Sequence, residues 1–330
     1  MLGKKELPGF LLSLAVAIVS YFLNLYIFRT IGAGTVAIAL GIILGNLYFH
    51  QPVLEKGTGW SEKRLLELSV MLLGTSVTFQ TLQDLHIRGI VFIILQMVAT
   101  IAFVLILAKR LGFSAPVAKM LAAGNAVCGS SAIVAVEPVV DAEVKDRGVS
   151  ITIVSLMGTL LMFLLPAISG WLFSGDNYLR GALIGGTVQS VGQVVAASAM
   201  VNSQVNTYAT LFKIIRILFL FLIVIYFGAT REKVAGASKK AIKKSSLMPW
   251  FVIGFLVLCV VNSFVTIPTF ATSTIRFIRT WFETTALAAI GLRLNLIVFF
   301  KAGRKMMIFG LATLAFQVLL AGLLIFLLLY

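Results

Sequence analysis

Apolar runs of about twenty residues recur along the whole chain, separated by short polar stretches that carry most of the charge. Each run has the length a helix needs to cross a hydrocarbon core about 30 Å thick. Eleven spans can be drawn, at 8–28, 33–49, 65–83, 89–108, 116–140, 148–167, 179–200, 207–228, 249–267, 273–296 and 305–329. The pattern predicts an all-α polytopic membrane protein. Span five differs from its neighbours. An apolar run from Pro116 to Ala123 meets the cluster Gly124-Asn125-Ala126-Val127-Cys128-Gly129-Ser130-Ser131, and a second apolar run then ends at Glu137-Pro138. Glycine weakens a helix by roughly 1 kcal/mol per position, and backbone groups freed inside a membrane need partners. The cluster therefore predicts two half-helices, the second starting near Gly129 with Ser130 or Ser131 as its cap. Its N–H groups and positive dipole end would then face a cavity suited to an anion. The alternative is a continuous helix whose small residues permit close packing.

Composition supports the membrane reading: 60% of the 330 residues are hydrophobic, 12% are charged and the mean hydropathy is +1.04. The net charge of +15 would point to nucleic acid in a soluble chain. Here the lysines and arginines fall mostly between the apolar runs, where they set topology, so nucleic acid is not an expected partner. Lys4, Lys5, Lys56, Lys63, Arg64, Lys109, Arg110, the run from Arg231 to Lys244, Lys301, Arg304 and Lys305 fall on one side of the eleven-span scheme. That side is the cytoplasm, which leaves Tyr330 outside. The basic stretch Arg231–Met248 reads as a topological anchor that also touches anionic lipid. Lys4 and Lys5 imitate the start of a signal peptide, but no small-residue cleavage site follows, so the first run reads as a retained helix. Cys128 and Cys259 lie in apolar segments, and His50 and His86 at segment ends. This gives no disulfide framework and no metal-ligand spacing, and no cofactor is expected.

The chain also matches itself. Ile31-Gly32-Ala33-Gly34-Thr35-Val36 with Gly41 is similar to Ile184-Gly185-Gly186-Thr187-Val188 with Gly192. Laying span two on span seven brings spans three to six onto eight to eleven with opposite direction. The result is one extra helix and two inverted five-helix repeats, 33–167 and 179–330, in a single transporter domain 1–330 with substrate held near the midplane. Under this scheme span ten, with Thr284 and Thr285 at its centre, is the second broken helix and crosses span five. Arg293, near the inner end of that span, lines the cavity or snorkels to the headgroups. Gly41-x-x-x-Gly45 reads as helix packing.

Polar residues inside the spans add candidates. Gln189 and Gln193 are four apart, on one helical face, with Ser190 beside them; in hydrocarbon such groups need partners or a polar cavity. Lys213 and Arg216 stand roughly 9 and 13 Å into span eight at 1.5 Å per residue. From that depth they are expected to face the protein interior. Gly124 to Gly129 has phosphate-loop spacing, but Ser130 stands where the lysine belongs and no strand precedes it. Ser130 or Cys128 as a nucleophile would lack a base, because neither histidine lies within a core span. The chain is therefore not read as an enzyme.

The run from Gly124 to Ile133, the Gln193–Ala197 stretch and the early Gly34–Gly41 run together resemble the YeiH-like family of conserved bacterial membrane proteins, to which sulfate export is attributed. The resemblance covers nearly the whole chain, and Cys128-Gly129-Ser130-Ser131-Ala132-Ile133 is its most specific mark. It implies a multi-pass protein of the bacterial inner membrane, similar in fold to bile acid symporters and sodium–proton antiporters, with two crossed, unwound helices. Family members often carry histidine near the position of Gln189-Ser190. None stands here, so a histidine proton relay is not expected.

The expected function is secondary active transport of a small anion, sulfate or a related sulfur-containing or organic anion. Its expected ligands are Asn125, Cys128, Gly129, Ser130, Ser131, Gln189, Ser190, Gln193, Lys213, Arg216, Thr284 and Thr285. Lys213 and Arg216 would supply charge to the anion and have no fixed partner without it. Glu137 is the candidate for coupling, or else the ion-pair partner of a buried cation. Proton or sodium, membrane lipid and a second copy of the chain are the other expected partners. A sodium- or proton-coupled organic-acid carrier is the nearest alternative, and a channel or a lipid-modifying enzyme the alternative from another class.

Overall fold

A computed structural model describes residues 3, 5–27, 33–49, 51–77, 85–140, 142, 144–229, 249–264, 268–294 and 303–330. Lys4, Arg29, Ile31, Gly32, His50, the basic run 231–244 and Lys301 lie outside them. Among the described residues every regular element is helical. The first half of the chain forms α1 (Leu7–Tyr26), α2 (Ala33–Leu47), α3 (Pro52–Trp60), α4 (Leu66–Leu73), α5 (His86–Arg110), α6 (Ala115–Ala126), α7 (Ser130–Val136) and α8 (Val144–Leu172). The second half adds α9 (Asn177–Thr187), α10 (Val191–Ala199), α11 (Ser203–Leu218), α12 (Leu220–Ala229), α13 (Trp250–Phe264), α14 (Thr269–Arg293) and α15 (Arg304–Leu328). Among the described residues, five helical stretches are long and apolar enough to cross a membrane: Leu7–Tyr26, His86–Arg110, Asp146–Leu172, Ser203–Ala229 and Arg304–Leu328. Ala33–Leu47, Ser130–Val139 and Trp250–Phe264 are apolar but shorter. Span three of the eleven drawn above begins earlier than its hydropathy suggests, at Pro52, and passes from α3 to α4 through a π-helical turn, Ser61–Leu65.

The chain resolves into two compact units, each assembled from three stretches, so neither coincides with the repeat 33–167 or 179–330. The first takes Met1–Asp84, Ser198–Ser203 and Trp250–Lys301; the second takes Leu85–Ala197, Gln204–Pro249 and Ala302–Tyr330.

In the first unit α2 packs along α14 through glycines. A Cβ on Gly41 would lie 2.5 Å from the Ala288 carbonyl, and one on Gly291 would lie 2.5 Å from the Ile38 carbonyl. Gly41 and Gly45 are thus packing residues, as their spacing suggests. Val16 and Ala17 of α1 close this seam with Ala37, Ala288 and Leu292.

The same unit corrects the expectation for span ten, because α14 is continuous from Thr269 to Arg293. Its hydroxyls are satisfied by its own backbone: Thr280 donates to the Arg276 carbonyl at 2.9 Å and Thr284 to the Thr280 carbonyl at 2.8 Å. Such back-bonding leaves the helix intact, and Ala286, Leu287, Ala288 and Ala289 that follow are strong helix formers.

In the second unit α5 and α15 stack Phe103 on Phe316 at 4.0 Å between ring centroids. The Asp176 carboxylate caps α9 by accepting from the Tyr178 and Leu179 N–H groups at 2.8 and 3.0 Å. The apparent sequence repeat does not mark equivalent places: Ala33–Val36 opens α2, whereas Ile184–Val188 closes α9.

Candidate functional site: two broken helices and the cations that cap them

Span five breaks where its small residues cluster. α6 stops at Ala126, Val127 leaves helical geometry, and Gly129 takes φ +68° and ψ −127° before α7 starts at Ser130. That backbone region is essentially reserved for glycine. The residue at the α7 cap position is Gly129 itself, and neither Ser130 nor Ser131 caps the helix with its side chain. The second break lies in span seven, not span ten: α9 ends at Thr187, Val188 is extended, and α10 begins at Val191. The two breaks touch, since a Cβ on Gly129 would lie 3.7 Å from the Ser190 Cβ and backbone N.

Each break leaves carbonyls without helical partners, at the negative end of a helix dipole. Both sets are taken by α11. The Arg216 guanidinium donates to the carbonyls of Asn125 (2.9 Å), Ala126 (2.8 and 3.0 Å), Gly185 (3.0 Å) and Val188 (3.0 Å). The Lys213 ammonium donates to the Val188 carbonyl at 2.8 Å and to that of Val127. Arg216 and Lys213 are fully enclosed. The sequence places them correctly in the interior, but they are not held free for an anion. They are shared C-terminal caps for α6 and α9, and every hydrogen-bond partner they have among the described residues is a backbone carbonyl.

A layer of amides closes one side of the crossing. The Gln189 amide N–H donates to the Asn125 side-chain oxygen at 3.2 Å and to that of Gln317 at 3.1 Å. Gln317 in turn donates to the Asn125 carbonyl at 3.0 Å, and Gln96 to the Gln317 carbonyl at 3.0 Å. Asn125, Gln189, Gln96 and Gln317 are all buried. Gln96 and Gln317 escape the sequence reading, although a lone amide in a long apolar run was the available signal.

On α10, Ser190 and Gln193 form a reciprocal capping box. The Gln193 N–H donates to the Ser190 hydroxyl at 3.2 Å, and the Ser190 N–H to the Gln193 side-chain oxygen at 3.3 Å. The Gln193 amide N–H groups also reach the Ser155 carbonyl and the Thr159 hydroxyl, at 3.0 and 3.2 Å.

The expected ligands therefore separate into two sets. Asn125, Cys128, Gly129, Gln189, Lys213 and Arg216 form a sealed frame. Ser130 and Ser131 are exposed, and Ser190 and Gln193 half-buried, at the start of the second half-helices. Thr284 and Thr285 are buried on α14 of the other unit. Glu137 pairs with Arg147 at 3.1 Å rather than with a buried cation, because the turn after α7 carries it away from the break.

A chain whose regular elements are all helical among the described residues, with several apolar helices of membrane length, is a membrane protein by class. Comparison with known proteins gives the family. The chain belongs to the family described as conserved hypothetical protein 698, whose profile matches residues 8–310. It is 56% identical over 326 residues to the UPF0324 membrane protein YdhF of Lactococcus lactis subsp. lactis (strain IL1403), covering 98% of each chain. It is 47% identical over 332 residues to a UPF0324 membrane protein of Lactiplantibacillus plantarum, covering 99% of this chain and 98% of the relative. With the UPF0324 inner membrane protein YeiH of Escherichia coli (strain K12) it shares 32% over 302 residues, 88% of this chain and 85% of the relative. The YeiH-like resemblance read from the sequence is thus correct. No solved structure matches the chain.

Proposed function

We propose that this protein is a secondary active transporter of a small anion, with substrate held where the two broken helices touch. The observation that supports this most is the pair of fully buried cations whose only partners among the described residues are the carbonyl ends of both breaks. When both side chains are protonated, two charges face two helix ends of about half a charge each, which leaves about one net positive charge at the crossing. The N-terminal end of α10 adds about half a charge more. A buried charge is tolerated only with compensation, so a crossing of this kind favours an anion and disfavours a metal cation. The hydroxyls of Ser130, Ser131 and Ser190 are the reachable donors, and the Lys213–Arg216 frame acts from behind them.

A carrier rather than an enzyme fits this arrangement, since none of these hydroxyls is hydrogen-bonded to a carboxylate or an imidazole among the described residues. Glu137 keeps the coupling role in the proposal, with Arg147 holding it when deprotonated; sulfate and small carboxylates are the substrates in view. The test is uptake of labelled sulfate, sulfite and dicarboxylates into proteoliposomes under imposed proton or sodium gradients. Concentrative uptake is expected, reduced about tenfold in the double variant Ser130→Ala/Ser131→Ala with thermal stability unchanged. Downhill flux alone would remove the coupling to an ion gradient, and wild-type uptake by the double variant would move the site elsewhere.

A further inference from the structure

The first unit holds a second feature, remote in sequence from both breaks. A cavity of about 380 Å³ lies between α1 and α14, walled by Tyr21, Phe277 and Trp281 and edged by Arg276, with hydroxyl groups along α14. The rings form one cluster: Trp281 is 5.4 Å from Tyr21 and 6.2 Å from Phe277 between centroids. Arg276 has no acidic partner among the described residues, whereas Arg279, on the next turn, lies 3.6 Å from Glu283. Among the described residues no carboxylate lines the cavity. The Ser273, Thr280 and Thr284 hydroxyls donate to carbonyls of their own helix. Arg276 is therefore the charged donor with spare capacity.

The depth of this cavity is set by α1. Tyr21 stands five residues before the helix ends at Tyr26, roughly 7.5 Å at 1.5 Å per residue. Tyr21 and Phe277 are exposed and Trp281 is half-buried, and Tyr and Trp rings are enriched at the level of the headgroups. An inorganic anion would fill a small part of the volume and leave the rings uncovered, whereas a phosphodiester joined to a glycerol backbone meets both walls. Guanidinium matches phosphate oxygens in a fork. A choline group would put a second cation beside Arg276.

We infer that this cavity binds the phosphate of an anionic phospholipid headgroup, with Arg276 on the phosphate and the rings of Tyr21, Phe277 and Trp281 against the glycerol and upper chain. The experiment uses the full-length protein in detergent, with phosphatidylglycerol, phosphatidylcholine or glycerol 3-phosphate added. Thermal unfolding and native mass spectrometry are read together. Phosphatidylglycerol should raise the midpoint by several degrees more than phosphatidylcholine and leave one lipid bound. Arg276→Gln should erase that difference, and because Arg276 is exposed and makes no ion pair with a described residue, the variant should fold as the wild type does. Arg279→Gln should keep it. Equal effects of the two lipids, or a phosphatidylglycerol effect that survives Arg276→Gln, would overturn the inference. Arg276-dependent stabilisation by glycerol 3-phosphate alone would overturn the lipid as its source. None of these readings depends on anion flux, so this inference and the transport proposal can fail separately.

Discussion

Spans five and ten look alike in sequence and behave differently in the structure. Each has small and hydroxyl residues at its centre, Gly124 to Ser131 in one and Thr284 to Gly291 in the other. Span five divides into α6 and α7, while α14 runs through without interruption. Hydroxyls do not break a helix, because each can donate a hydrogen bond to the carbonyl one turn earlier, as Thr280 and Thr284 do. Span five differs in two respects. It has a glycine that can take φ +68°, and the carbonyls it frees are met by cations arriving from α11. A break inside a membrane thus needs a local licence and a distant partner. α14 has neither: its one glycine, Gly291, is spent on contact with α2.

The distant partner should carry the larger share. Arg216→Met removes hydrogen bonds to four carbonyls in two helix ends, and bonds to charged groups contribute about 1.5–3 kcal/mol each. A loss of about 4 kcal/mol or more is expected, seen as a large drop in the thermal midpoint in detergent or as failure to recover monodisperse protein. Arg216→Lys should recover part of it, because a point charge cannot serve four carbonyls as a fork does. An Arg216→Met protein as stable as the wild type would show that the breaks persist without their caps.

The local licence comes second. At Gly129 an added Cβ would meet nothing closer than 3.7 Å, so Gly129→Ala tests conformation alone. It should cost about 1–3 kcal/mol and abolish most uptake while membrane insertion continues. Full activity in Gly129→Ala would remove the break from the transport cycle.

This comparison also explains what could be read in advance. The span-five break was legible because one of its two requirements is local, a glycine beside small residues. The span-seven break was not, because Val188 is extended without any positive φ and the groups that hold it come from Lys213 and Arg216, 25 and 28 residues further on. Gln189 and Gln193 looked like two residues of one helix face, yet the break between them gives one to the amide layer and the other to the capping box. Gln317 joins Asn125 across 192 residues, a pairing no local pattern announces.

The smallest effect is expected where hydroxyls serve only their own helix. Thr284→Val is nearly isosteric, and the bond it deletes goes to the Thr280 carbonyl within α14. Exchanging a back-bonded hydroxyl for a methyl in a buried, continuous helix removes the donor that needed a partner, while the Thr280 carbonyl keeps its place in the backbone ladder of α14. The change in stability should stay within about 0.5 kcal/mol, and anion uptake should remain within about twofold of the wild type. The matching double change at the break, Ser130→Ala/Ser131→Ala, leaves stability alone as well but is expected to cut uptake about tenfold. That contrast separates hydroxyls that face substrate from hydroxyls that merely occupy a helix. A tenfold loss of uptake in Thr284→Val at unchanged stability would return Thr284 to the substrate path and show that helix continuity is a poor guide to where the anion travels.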